Sequence, residues 1–116
     1  MFRRKRVLGF CIVSAAIWAA AVNVAGAGEP YTVQLTARDG RFYPETLSVP
    51  AGQRVKIVFR NDGPGIEEFD SRDLRQEKVV MPGATLAFVL APLKPGVYRF
   101  IGELHPDTAK GQVIAE

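Results

Sequence analysis

The sequence predicts an all-β Greek-key sandwich preceded by an export signal. Three observations predict this fold class. Apolar and polar residues alternate over short segments, and turn signals rich in glycine and proline recur about every 10 residues, as in β-sandwiches. The one stretch with helical character, residues 70–75, is long enough for a single turn and too short for a packed helix.

Residues 1–27 have the composition of a signal peptide. A basic segment at residues 2–6 precedes an apolar run at residues 7–22, and Ala25-Gly26-Ala27 supplies the small residues that signal peptidase requires. Cleavage after Ala27 would leave residues 28–116 as one periplasmic domain with no membrane span. The alternative is an uncleaved anchor, because the apolar run is nearly long enough to cross a bilayer.

Charge and cysteine content narrow the classes of function. Four of the 15 basic residues and none of the 12 acidic residues lie in residues 1–27, so residues 28–116 carry a net formal charge of −1. Nucleic-acid binding is not predicted, because it usually requires an excess of basic residues. The single cysteine, Cys11, also lies in the leader, so the exported domain has no disulfide and no thiolate.

The first half of the domain predicts three strands. They lie at residues 31–36, 47–49 and 54–60. The last is the most regular, because Val55, Ile57 and Phe59 alternate with polar residues and should face one side. Turns are predicted at residues 39–40 and 50–52, and a loop at residues 61–65, where glycine and proline would break a strand.

The second half predicts five more strands. They lie at residues 68–70, 76–80, 85–90, 97–101 and 112–115, with turns at residues 81–83 and 92–96. The sequence contains no internal repeat and no low-complexity segment, so these strands should close one sandwich. The loops at residues 61–65 and after Ile101 can lie at the same end of such a fold.

Three stretches resemble the cupredoxins, and they occur in that family's order. Residues 42–52 (FYPETLSVPAG) are similar to the family's entry into its third strand, and residues 55–61 (VKIVFRN) to the strand before its first copper ligand. Residues 95–111 are similar to the hairpin that carries the remaining ligands. The resemblance implies a cupredoxin-type sandwich over residues 28–116.

The copper ligands that the resemblance implies are mostly replaced. The family's first histidine falls on Glu67, its cysteine on Gly102 and its axial methionine near Ala109, whereas its second histidine is retained as His105. A blue-copper site requires a thiolate. The sequence therefore predicts that this chain is not a blue-copper electron carrier.

A narrower resemblance rests on residues 67–71 (Glu-Glu-Phe-Asp-Ser) and 102–105 (Gly-Glu-Leu-His). These are similar to the cupredoxin-like periplasmic proteins of bacterial iron-uptake systems of the Ftr and Efe types, which work with an inner-membrane iron permease. The resemblance implies binding of an iron or copper ion and assistance in ferrous-iron uptake or oxidation. A permease and other periplasmic uptake components are the implied partners.

The residues themselves suggest a carboxylate–imidazole metal site. Glu67, Glu103 and His105 are the first candidates, since the two loops that carry them can meet. Strand alternation places Glu68 and Asp70 on the face opposite Glu67, as an acidic rim or a second site. Two carboxylates and an imidazole suit Fe, Mn or Zn, and also Cu(II).

Two other interpretations stay open at this point. The domain could be a metal-free sandwich that acts as a docking or assembly module, with these residues forming a polar loop end. It could also be a copper chaperone. An accessory ferroxidase role would further require an electron acceptor.

Overall fold

The structure, a computed structural model, describes residues 28–116 as nine β-strands joined by turns. The strands are β1 (Tyr31–Arg38), β2 (Arg41–Tyr43), β3 (Thr46–Val49), β4 (Val55–Asn61), β5 (Glu67–Ser71), β6 (Gln76–Val80), β7 (Thr85–Leu90), β8 (Gly96–Gly102) and β9 (Lys110–Ala115). The predicted signal peptide, residues 1–27, lies outside the described residues. Between residues 28 and 116, no helix has the length and apolarity of a membrane span.

The strands form two sheets that pack face to face. One has four strands in the order β2-β1-β4-β7, and the other has five in the order β3-β9-β8-β5-β6. The pairs β1–β4 and β3–β9 are parallel, and the remaining pairs are antiparallel. Strands adjacent in sequence thus often lie in different sheets, which gives the predicted Greek-key sandwich.

The core between the sheets is built on five phenylalanines. The five-stranded sheet contributes Phe69 and Phe100. The four-stranded sheet contributes Phe42, Phe59 and Phe88. Phe69 lies at the centre, with ring centroids 4.9 Å from Phe100 and 5.2 Å from Phe88. Such aromatic contacts add to the burial of apolar area and fix the two sheets relative to each other.

All eight predicted strands are present, and the alternation in residues 54–60 is confirmed: Val55, Ile57 and Phe59 are fully buried. Strand β2 was not predicted from the sequence, because three residues are too few to show a period. The turn before β2, Asp39-Gly40, has positive φ at both residues, 54° and 69°. It closes a tight hairpin between β1 and β2.

Candidate metal centre

Glu67 is an acidic residue at an inward-facing position. It begins β5, in which Glu67, Phe69 and Ser71 point into the sandwich, and only 3% of Glu67 is exposed. A carboxylate in such a place is costly unless hydrogen bonds replace its water. Glu67 therefore depends on the polar groups that surround it.

Both carboxylate oxygens of Glu67 have partners. Oε1 accepts the backbone N–H groups of Glu68 at 3.0 Å and Leu104 at 3.3 Å. Oε2 lies 2.7 Å from Nδ1 of His105. Polar partners on both oxygens thus replace the water that burial removes from this side chain.

The turn between β8 and β9 positions His105. The His105 N–H donates to the carbonyl of Gly102 at 2.9 Å, and the Ala109 N–H donates to the carbonyl of His105 at 2.8 Å. These bonds form a compact turn that brings the imidazole back over the end of the sandwich. The ring is held on one side by Glu67, while about half of the His105 side chain, 49%, is exposed.

The loop before β5 is held by Asn61, a polar residue that is only 1% exposed. Its Nδ2 donates to the carbonyls of Gly65 at 2.8 Å and Val80 at 2.9 Å, and its Oδ1 accepts the Gly63 N–H at 2.9 Å. One side chain thus replaces several missing backbone partners. It fixes the path by which the chain reaches Glu67.

Glu67 and His105 form one wall of a cleft of about 450 Å³. The turn at residues 38–40 and the loop at residues 63–66 form the other walls. The two distant loops therefore meet at one end of the sandwich, as the sequence analysis expects. The half-exposed imidazole is accessible from this cleft.

The same end of the fold has no room for the cysteine of a blue-copper site. A Cβ atom placed on Gly102 would lie 2.7 Å from Cβ of Ala109 and 2.9 Å from Oε1 of Glu67, closer than real Cβ atoms approach. Ala109, where the resemblance puts the axial methionine, is fully buried. The residues present do not fit a blue-copper centre, which needs a thiolate in this space.

A second group of acidic residues lies on the outer face of the five-stranded sheet. Carboxylate oxygens of Glu68, Asp70 and Glu77 lie within 4.8 Å of one another, a spacing that could hold a cation. Asp70 and Glu77 are direct cross-strand partners. Glu103 joins them: its hydrogen bond with the Asp70 side chain, followed by the charge of Asp70, raises the pKa of the Glu103 carboxyl above its ordinary value.

The predicted site residues therefore divide into two groups. Glu67 and His105 meet at the cleft, whereas Glu68 and Asp70 lie on the opposite face of β5, as strand alternation predicts. The expected grouping of Glu103 with His105 needs correction, because Glu103 faces Asp70 instead. The Glu103 N–H also donates to the Glu68 carbonyl at 2.9 Å, which holds the residue beside the outer group.

Two residues of this region, Glu77 and Asn61, were not predicted from the sequence. Glu77 becomes visible only when β6 is paired with β5, since it then lies opposite Asp70. Asn61 could have been predicted from a local pattern. In turns, an asparagine side chain often accepts the backbone N–H of the residue two positions later, as Asn61 does from Gly63.

Sequence comparison gives two matches. Residues 9–115 match the family described as Cupredoxin-like domain. An uncharacterized protein of Rickettsia prowazekii (strain Madrid E) is 43% identical over 82 residues, which cover 71% of this chain and 66% of that protein. This chain therefore spans just under two thirds of the length of that relative.

Structural comparison finds blue-copper and related folds. Auracyanin of Roseiflexus castenholzii has a TM-score of 0.65 at 15% identity, with 77% of this chain and 99% of that chain covered. Auracyanin A of Chloroflexus aurantiacus, a blue copper protein, gives 0.65 at 15%, with 76% and 100% covered. A purple cupredoxin of Nitrosopumilus maritimus gives 0.57 at 19%, with 72% and 99% covered. At these identities the likeness shows the fold alone.

Proposed function

The chain belongs to the cupredoxin-like domain family, and from this premise we propose that it binds an iron or copper ion at the end of the sandwich where Glu67 and His105 meet. The observation that carries the proposal is the 2.7 Å contact between Oε2 of Glu67 and Nδ1 of His105. An inward-facing acid lies beside the chain's single histidine, at a cleft that a metal ion can enter.

The chemistry of the donors selects the kind of ion. Among residues 28–116 there is no thiolate, and the one thioether, Met81, does not line the cleft, so the cleft offers soft Cu(I) no sulfur ligand. Imidazole and carboxylate instead suit Fe(II), Zn(II) and Cu(II). The negative charge of the acids that line the cleft stabilises Fe(III) more than Fe(II), because charge attraction is stronger for the higher ion. Binding here would therefore lower the reduction potential of iron, in the direction that assists its oxidation.

The proposed role is to bind iron in the periplasm and to deliver it to an inner-membrane permease. The outer group of Glu68, Asp70, Glu77 and Glu103 supports this role, since oxygen donors at one face would attract cations to the same end of the domain. Oxidation of Fe(II) would send one electron to an acceptor that another component must supply. Binding and delivery are therefore the core of the proposal.

Calorimetric titration of the purified protein with Fe(II), Cu(II), Cu(I), Zn(II) and Mn(II) tests this function. We expect Fe(II) or Cu(II) to bind well below millimolar dissociation constants and Cu(I) to bind weakly. Preference for Cu(I) would instead favour the copper chaperone. If no ion binds better than about 1 mM, roughly −4 kcal/mol, the metal-free docking module is the better account.

Two variants locate the ion. His105→Gln removes the only imidazole and should weaken binding at least tenfold, whereas Glu77→Gln, which changes only the outer group, should have a smaller effect. Asp62→Asn is the matched control, because Asp62 pairs with Arg60 on the surface near the loop and lies in neither group. Equal affinity in wild type and His105→Gln would place the ion away from the cleft.

A further inference from the structure

The two ring nitrogens of His105 have different surroundings. Nδ1 faces Oε2 of Glu67 at 2.7 Å. Nε2 makes no hydrogen bond with any side chain or backbone group in the described range 28–116, and the ring borders the cleft. One nitrogen is therefore engaged by the protein and the other is left to whatever enters the cleft.

The contacts of Glu67 decide which nitrogen carries the proton. Oε1 accepts two backbone N–H groups, and Oε2 is the oxygen that faces the ring. Carboxylate oxygens are acceptors, so in the 2.7 Å contact with Oε2 the donor is Nδ1–H. In the neutral ring the lone pair is then on Nε2.

Gly40 fixes the ring on the side opposite the hydrogen bond. A Cβ atom placed on Gly40 would lie 3.2 Å from Cδ2 of His105 and 3.5 Å from its Cγ, so the glycine backbone packs closely against the imidazole. The Thr108 hydroxyl donates to the Gly40 carbonyl and ties this turn to the one that carries His105. The ring is held in one orientation before any ligand arrives.

We infer that His105 binds an incoming divalent ion through Nε2, and that Glu67 is a positioning residue that holds Nδ1–H and does not coordinate the ion. This inference rests on the proposed function and specifies its atoms. A carboxylate that accepts the N–H of a metal-binding histidine fixes the tautomer and increases the basicity of the ring. Asp39 is the other acid that lines this cleft.

Nitrogen-15 NMR of the imidazole tests the inference. Because His105 is the only histidine in the chain, every imidazole signal belongs to it. The protein is labelled with ring-¹⁵N histidine and studied at about pH 8, where an ordinary imidazole is neutral. In metal-free protein we expect Nδ1 protonated and Nε2 unprotonated. Addition of Zn(II), a diamagnetic probe, should shift Nε2 while the Nδ1–H signal persists.

The possible outcomes separate this inference from the proposed function. A metal-free ring protonated on Nε2, or a Zn(II)-induced shift at Nδ1, would overturn the inference and leave metal binding by His105 intact. If Zn(II) shifts neither nitrogen, metal binding at His105 fails and the inference falls with it. The wild-type protein alone decides among these outcomes.

A variant then tests the positioning role of Glu67. Glu67→Gln keeps the shape of the side chain and removes its charge, so we expect both tautomers to appear and the dissociation constant for Zn(II) to rise by about 10- to 100-fold. The Zn(II)-bound ring should still coordinate through Nε2. Glu103→Gln, from the outer group, is the matched control and should leave the tautomer unchanged. An unaltered tautomer in Glu67→Gln would contradict the role.

Discussion

The carboxylate of Glu67 lies where a side chain at position 102 would have to begin. A Cβ atom on Gly102 would come within 2.9 Å of Oε1 of Glu67. The glutamate and the glycine therefore belong together: a longer residue at position 102 would displace the buried carboxylate. The buried acid at position 67 therefore requires a residue without a side chain at position 102.

Gly102→Ala should destabilise the protein by about 1–3 kcal/mol, because one added methyl group overpacks a closed space. Denaturant unfolding measures the change. Gly65→Ala is the matched control, since a Cβ atom at Gly65 would meet nothing within 4 Å. Equal stability of Gly102→Ala and wild type would show that Glu67 moves aside easily and that the two positions are not coupled.

Asn61→Ala should destabilise the protein by about 3 kcal/mol, because it leaves the buried backbone partners of Asn61 without hydrogen bonds. The loop before Glu67 should also lose protection from amide hydrogen exchange, most clearly at Gly63. The surface variant Asp62→Asn, at the next position, should unfold like wild type. A change below about 0.5 kcal/mol in Asn61→Ala would mean that water readily takes over the role of this side chain.

The raised pKa of Glu103 has a defined effect on stability. Because its carboxyl binds a proton more tightly in the folded than in the unfolded protein, its contribution is complete below the ordinary glutamate pKa of about 4.3. That contribution is lost as the pH rises through the folded-state pKa. Glu103→Gln should therefore be more stable than wild type at neutral pH and should show a weaker decline above about pH 4.

Thermal unfolding at several pH values checks this prediction, with Asp107→Asn as an exposed control from the same turn. Added salt should reduce the difference between Glu103→Gln and wild type, because the carboxylate of Glu103 is exposed to solvent. The prediction fails if the two proteins show the same pH dependence.

Alternation along β5 was enough to predict which acids face inward. Glu67 and Phe69 share one face, Glu68 and Asp70 share the other, and the structure agrees. The meeting of the two loops also followed from the fold class. The first feature depends on local periodicity and the second on the fold class, and both could be predicted from the sequence.

The placement of Glu103 could not be predicted in this way. Glu103 follows the end of β8, where the chain leaves the regular alternation and a backbone bond to Glu68 turns it outward. Its neighbour Glu77 lies on β6, whose pairing with β5 sets the register of Asp70 against Glu77. Turn geometry and strand register are tertiary properties, and a pattern of acids along the chain does not contain them.

The spectrum of the Cu(II)-loaded protein tests the central claim most directly. The account predicts weak visible absorption without a thiolate charge-transfer band. It also predicts that the electron paramagnetic resonance signal is split by one imidazole nitrogen, and that this splitting is absent in His105→Gln. An intense charge-transfer band, or bound copper whose signal is the same in His105→Gln and wild type, would contradict it.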